Sequence, residues 1–218
     1  MRNLTKLIAV ACLAAVPFIT PAAAEPSKEA YVLMDLGKGG DIFRNAGYAR
    51  VAGDKLSKVL DDVGLASGDS LTLMTFGQPG QLAHLGLEEL NRTIPLGGRA
   101  ARPGDVSSYL RTVLSRYGSY PAHGASDLMS RLRDLAGQID CAADVNVIIL
   151  TNGREVGHFD NGKFNLSNVP DVAPLCGTVH YIGLWVDDPE PNKGFGTTGP
   201  ALFHDLALAL GASNVERH

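Results

Sequence analysis

The run Val145-Asn146-Val147-Ile148-Ile149-Leu150, followed at once by Thr151-Asn152-Gly153, decides how this chain is read. Apolar, mostly β-branched residues succeed one another with one interruption. That is the composition of a strand buried on both faces rather than the alternation of a half-exposed one. A strand of that kind needs helices above and below its sheet, and the flanking sequence supplies them. Just before it, Leu128, Met129, Leu132 and Leu135 recur at helical spacing behind Ser126 or Asp127 as N-cap. Further back, Pro103-Gly104-Asp105 opens a helix whose stripe is Val106, Leu110, Val113 and Leu114, with Gly118 as its stop. Beyond the run, a loop of about 20 residues with one helical turn near 169–175 leads to a second core strand over 178–186. A helix over 202–210 follows, with Gly211 as its stop signal.

The amino-terminal part repeats the alternation. Residues 30–34 (AYVLM) form a short apolar strand ending at Asp35 and a glycine-rich turn. Phe43, Ala46, Tyr48, Val51, Leu56, Val59, Leu60 and Val63 then keep helical spacing, although Gly47 and Gly53 weaken that helix. Residues 70–76 (SLTLMTF) are the next strand. Residues 89–96 alternate loosely and make an edge strand, because Pro95 has no N–H to donate. Strands alternating with helices predict an α/β chain: a three-layer, doubly wound, mostly parallel sheet with helices on both faces and one antiparallel edge strand. Ligands of such sheets sit outside the carboxyl ends of the strands. The segments of interest are therefore those after Met34, Phe76, Leu150 and Val186, with the loop before Asp127.

Those segments carry Asp35-Leu36-Gly37-Lys38-Gly39-Gly40-Asp41, Gly124-Ala125-Ser126-Asp127-Leu128 and Thr151-Asn152-Gly153. Here the chain resembles the von Willebrand factor type A domain, from Tyr31 to about Val215. VIILTNG resembles that family's VIxLTDG. TVHYIGLWV and ALFHDLALALGA resemble its penultimate strand and closing helix. The resemblance implies a metal-ion-dependent adhesion site, with an Asp-x-Ser-x-Ser turn, a Thr from the middle loop and an Asp after the fourth strand. Carried over residue by residue, Asp35 matches the first Asp and Ser126 stands for the Thr. Gly37 and Gly39 replace both Ser residues, and Asn152 replaces the late Asp. Mg²⁺ asks for six oxygen ligands in a tight octahedron. Glycine offers no side-chain oxygen, and Asn152 offers a neutral one. The expectation is a degenerate site at Asp35, Ser126 and Asn152, holding no cofactor or a weakly bound divalent cation (Mg²⁺, Mn²⁺ or Ca²⁺).

Export is expected from the first residues. Arg2 and Lys6 precede an apolar run over 7–19, broken by Pro17, and Ala22-Ala23-Ala24 closes it, so residues 1–24 read as a cleavable signal peptide. The run is too short and too interrupted for a spanning helix, and no later stretch is long enough for one. Of 218 residues, 25–218 remain as a single domain. Removing Arg2 and Lys6 from the 19 basic residues leaves 17 against 23 acidic ones, a formal charge of −6. That charge points to neither nucleic acid nor an anionic membrane surface. Cys12 leaves with the signal. Cys141 and Cys176 each stand a few residues before a core strand, so parallel neighbouring strands would bring both to one sheet edge and allow a disulfide in an oxidising compartment.

Other motifs carry less. Gly194-Phe195-Gly196-Thr197-Thr198-Gly199 fits G-x-G-x-x-G but follows the last core strand rather than the first, and reads as a recognition loop. His123 and His158 fall at the carboxyl edge without zinc spacing. His180, in a core strand, and His204, on the last helix, read as packing residues. No G-x-S-x-G is present. The expected function is a periplasmic or secreted, non-enzymatic module that binds an extracytoplasmic protein through loops holding Gly37, Gly39, Asp41, Asn152, Gly153 and Phe195. Its rivals are a metal-dependent adhesion module and an exported hydrolase using Asp35, His123 and Ser126.

Overall fold

A computed structural model describes residues 27–35, 46–77, 91–97, 128–151, 174–183 and 199–218, with Ser108, Thr112, 159–160 and 163–164. The strands are β1 (Lys28–Asp35), β2 (Ser70–Phe76), β3 (Arg92–Pro95), β4 (Asp144–Leu150), β5 (Phe159–Asp160), β6 (Lys163–Phe164), β7 (Thr178–Ile182) and β8 (Asn214–Arg217). The helices described are α1 (Ala46–Val63), α2 (Leu128–Ala136) and α3 (Gly199–Ala209). Six strands form one sheet in the order β3-β2-β1-β4-β7-β8. Only β3 runs antiparallel, and Pro95 lies in it at the sheet edge as its missing donor requires. The β4 strand is central and buried along Val145 to Leu150, as its composition demands.

Alternation along the strands divides the core in two. Ala30, Val32 and Met34 of β1, with Leu71 and Leu73 of β2, face Ala52, Leu56, Val59 and Leu60 of α1. Tyr31 and Leu33, with Val147 and Ile149 of β4, face the other way, onto Leu128, Leu132 and Leu135 of α2 and Phe203 and Leu206 of α3. Helices thus cover both faces. The α1 stripe at positions 52, 56, 59 and 60 is the amphipathic period that its sequence shows. Its carboxyl end is closed by Lys28, whose Nζ donates to the Val63 carbonyl at 2.7 Å, and by Gly64 at φ 64°. Ser108 and Thr112 are helical, with Thr112 Oγ1 donating to the Ser108 carbonyl at 3.0 Å.

Three features depart from the sequence reading. The loop beyond β4 contains the small hairpin β5–β6. Pro174 and Leu175, at the end of the proposed turn near 169–175, are irregular, and residues 169–173 lie outside the described residues. The chain also continues after α3 into β8, paired in parallel with β7. The helix stops at Gly211, at φ 88°, where a β-carbon would press on Pro174.

Cys141 and Cys176 are joined, with Cα atoms 5.8 Å apart. The cause is the one anticipated: β4 and β7 are parallel neighbours, and each cysteine sits just before its strand. Between Cys176 and β7, Gly177 holds φ 72°, and a β-carbon there would collide with the Val145 carbonyl. Among the described residues, no helix is long and apolar enough to cross a membrane.

Candidate functional site

Strand order reverses between β1 and β4, since β2 follows β1 on one side and β4 lies on the other. The crevice at their carboxyl ends is the ligand position of doubly wound sheets. Asp35 ends β1 and is paired in register with Phe76. On the other side Met34 is level with Leu150, which places Thr151 beside Asp35. Thr151 Oγ1 donates to Asp35 Oδ2 at 2.7 Å. Both residues are buried, at 1% and 2% exposure. The Thr151 N–H meanwhile donates to the Ile182 carbonyl at 3.1 Å, which ties this end of β4 to β7. Next along the edge, Asn91 anchors the start of β3: its Oδ1 accepts the Thr75 N–H at 3.0 Å and its Nδ2 donates to Thr75 Oγ1 at 2.8 Å.

Asp35 is thus the described residue of the expected metal set, and it stands where the sequence puts it. Its hydroxyl partner, Thr151, was not foreseen. The signal was available in the Thr-Asn-Gly that follows the core strand, but which strand lay beside β1 was not. Ser126, Asn152, Gly37, Gly39, Asp41, Gly153 and Phe195 lie outside the described residues, as do His123 and His158. Within the described part of the expected metal set, one Asp35 oxygen already accepts a hydrogen bond from a buried hydroxyl, and the sequence carries glycine at 37 and 39 and an amide at 152.

A second polar cluster lies on the β7–β8 margin, on the α1 face of the sheet. His180 is buried in β7, in register with Glu216 of β8. His218 follows Glu216 by two residues, and its N–H donates to the Tyr181 carbonyl at 2.9 Å, extending the ladder by one bond. Two-residue spacing keeps Glu216 and His218 on one face. His180 Nδ1 lies 3.3 Å from Glu216 Oε2 and 3.3 Å from His218 Nε2. His218 Nε2 lies 3.6 Å from the same Glu216 oxygen. On its other side His180 Nε2 meets Asn146 Oδ1 at 3.2 Å. Burial pushes the His180 imidazole below its usual pKa; the nearby carboxylates of Glu216 and, on α1, Asp62 oppose that shift, while His218 reinforces it. His180 was expected to be a packing residue. It is buried, but both ring nitrogens face polar groups: Asn146 of β4 meets Nε2, and Glu216 of β8 and His218 meet Nδ1, partners that the expected end of the fold at α3 did not supply.

No family model matches the sequence, and no curated protein matches it. Among solved structures, the chain is similar to a von Willebrand factor type A protein from Catenulispora acidiphila, at 16% identity and a TM-score of 0.46, over 88% of this chain and 38% of that one. It is also similar to the open conformation of the pilus adhesin SpaC from Lactobacillus rhamnosus GG, at 13% identity and a TM-score of 0.43, over 90% of this chain and 28% of that one. The chain therefore spans well under half the length of either. The sheet itself carries the assignment: β1 beside β2 and β4, an antiparallel β3 at the edge, parallel β7 and β8 beyond, and helices on both faces. By that strand order the chain has a von Willebrand A-like α/β fold.

Proposed function

We propose that this protein is an exported, non-enzymatic interaction module that binds a protein partner through the carboxyl edge of its sheet without a resident adhesion-site cation. The observation that carries the reading is the buried hydrogen bond from Thr151 to Asp35. It puts a protein hydroxyl on the one carboxylate that the expected site retains, at the position where this fold class presents its ligand surface. The glycines at 37 and 39 support the same reading, because they supply none of the hydroxyl oxygens that those two positions would contribute to an adhesion site. The basic and apolar pattern of residues 1–24 supports an extracytoplasmic compartment.

Calorimetric titration with Mg²⁺ and Mn²⁺ is the direct test, and the expected result is no tight binding. Tight binding that disappears in Asp35→Ala would overturn the cation-free reading. A cross-linked partner recovered from envelope extract should be captured equally with and without Mg²⁺, and less by Gly39→Trp. Capture that depends on added Mg²⁺ would favour metal-dependent adhesion instead.

A further inference from the structure

We propose that His180, Glu216 and His218 form a binding site for a divalent transition ion, Zn²⁺ first among them. This site is separate from the Asp35 crevice. The argument begins with lone pairs. His180 Nε2 faces Asn146 Oδ1, an acceptor, so Nε2 carries the proton of the neutral ring. The Asn146 amide is oriented for this, since its Nδ2 points at Asp144 Oδ1, 3.5 Å away. The lone pair of His180 Nδ1 is therefore left facing Glu216 Oε2 and His218 Nε2. With His218 in the tautomer that leaves Nε2 unprotonated, three atoms able to present lone pairs lie together there, the arrangement a cation can use.

Geometry favours a metal over a shared proton. The three atoms make a nearly equilateral triangle with sides of 3.3, 3.3 and 3.6 Å. Tetrahedral Zn²⁺ with Zn–N and Zn–O bonds of about 2.0–2.1 Å requires ligand atoms about 3.3 Å apart. Hydrogen bonding would instead draw a charged pair to about 2.8 Å. Two imidazoles and a carboxylate suit Zn²⁺ and its neighbours Ni²⁺ and Cu²⁺ better than Mg²⁺ or Ca²⁺. A second shell is present too. Asn146 fixes the tautomer and orientation of His180, as partners of metal-bound histidines do. The Glu216 side chain is 47% exposed and that of His218 is 23% exposed, so an ion can enter from solvent. Three protein donors leave a fourth position for water or for a donor from a partner.

The test uses untagged protein, stripped with chelator and titrated with Zn²⁺ alone. One equivalent should bind. Asn146→Ala should weaken binding by roughly ten- to a hundredfold, and His218→Ala and Glu216→Gln by at least as much. Asp35→Ala should leave it unchanged. Circular dichroism controls for folding, and the Glu216 and His218 variants remove no buried core residue. Substituted Co²⁺ should show the intense visible bands of a four-coordinate ion. Zinc affinity unchanged in both His218→Ala and Glu216→Gln, or a six-coordinate Co²⁺ spectrum, would overturn the proposal. Loss of zinc in Asp35→Ala alone would overturn it as well, and would count against the cation-free reading of the crevice.

Discussion

The end of β1 and the margin of β7 and β8 are both polar patches on one sheet, yet their chemistry is opposite. At the first, a buried carboxylate accepts a hydrogen bond from Thr151 at 2.7 Å, so donor meets acceptor. At the second, two imidazole nitrogens and a carboxylate oxygen, of His180, His218 and Glu216, lie 3.3–3.6 Å from one another. The first stands where the fold class keeps its ligands. The second stands at the rim, on a strand added after the last helix described. Position in a fold therefore locates a crevice, whereas a cation site needs ligand atoms spaced so that their lone pairs can converge.

The bridge between Cys141 and Cys176 is common to both regions, because it ties β4 to β7 at the opposite edge. It closes a separation of 35 residues, and reducing it should cost about 3–4 kcal/mol in urea unfolding. Loss of stability without loss of zinc stoichiometry would show that the rim cluster is held by the ladder alone. Zinc itself is the next largest effect. At about 100 times its Kd it should add about 2.7 kcal/mol to unfolding free energy, falling below about 1.4 kcal/mol in Glu216→Gln at the same zinc concentration, with none from Mg²⁺ in either protein. Stabilisation by Mg²⁺ would erase the contrast between the two regions.

Thr151→Val sharpens the other side. It keeps the shape and leaves a buried carboxylate short of a donor, so stability should fall by about 1–3 kcal/mol by denaturant titration. A neutral result would mean that the hydroxyl does not hold Asp35. The smallest effect lies at the far end of β1. Tyr31 donates to Glu29 Oε2 at 2.7 Å, and burial first, then that bond and the charges of Glu29 and Asp140, raise its pKa above the usual 10. The unfolded chain releases this proton near pH 10 while the folded chain keeps it. The contribution is thus complete below about pH 10 and is lost as pH rises through the folded value. Tyr31→Phe should flatten the alkaline limb of the stability curve. An unchanged limb would remove Tyr31 as its cause.

Local composition and period were enough for much of this. The buried run at 145–150, the alternation around it, the α1 stripe and the edge role of Pro95 follow from hydrophobic pattern and from proline's missing donor. The disulfide followed once β4 and β7 were taken as parallel neighbours, because parallel strands put their starts at one edge. Asp35 as a strand-end carboxylate was equally legible. Cross-strand pairing was not. A strand as short and exposed as Asn214–Arg217 has no hydrophobic alternation to reveal it, and without it the Nδ1 side of His180 loses Glu216 and the residue reads as core. Thr151 meets Asp35 across 116 residues of chain. Periodicity is a property of neighbours along the chain, so it reports which residues turn inward. The meeting of Thr151 with Asp35, and of His180 with Glu216 and His218, depends on strand order and register, which exist only once the sheet has closed.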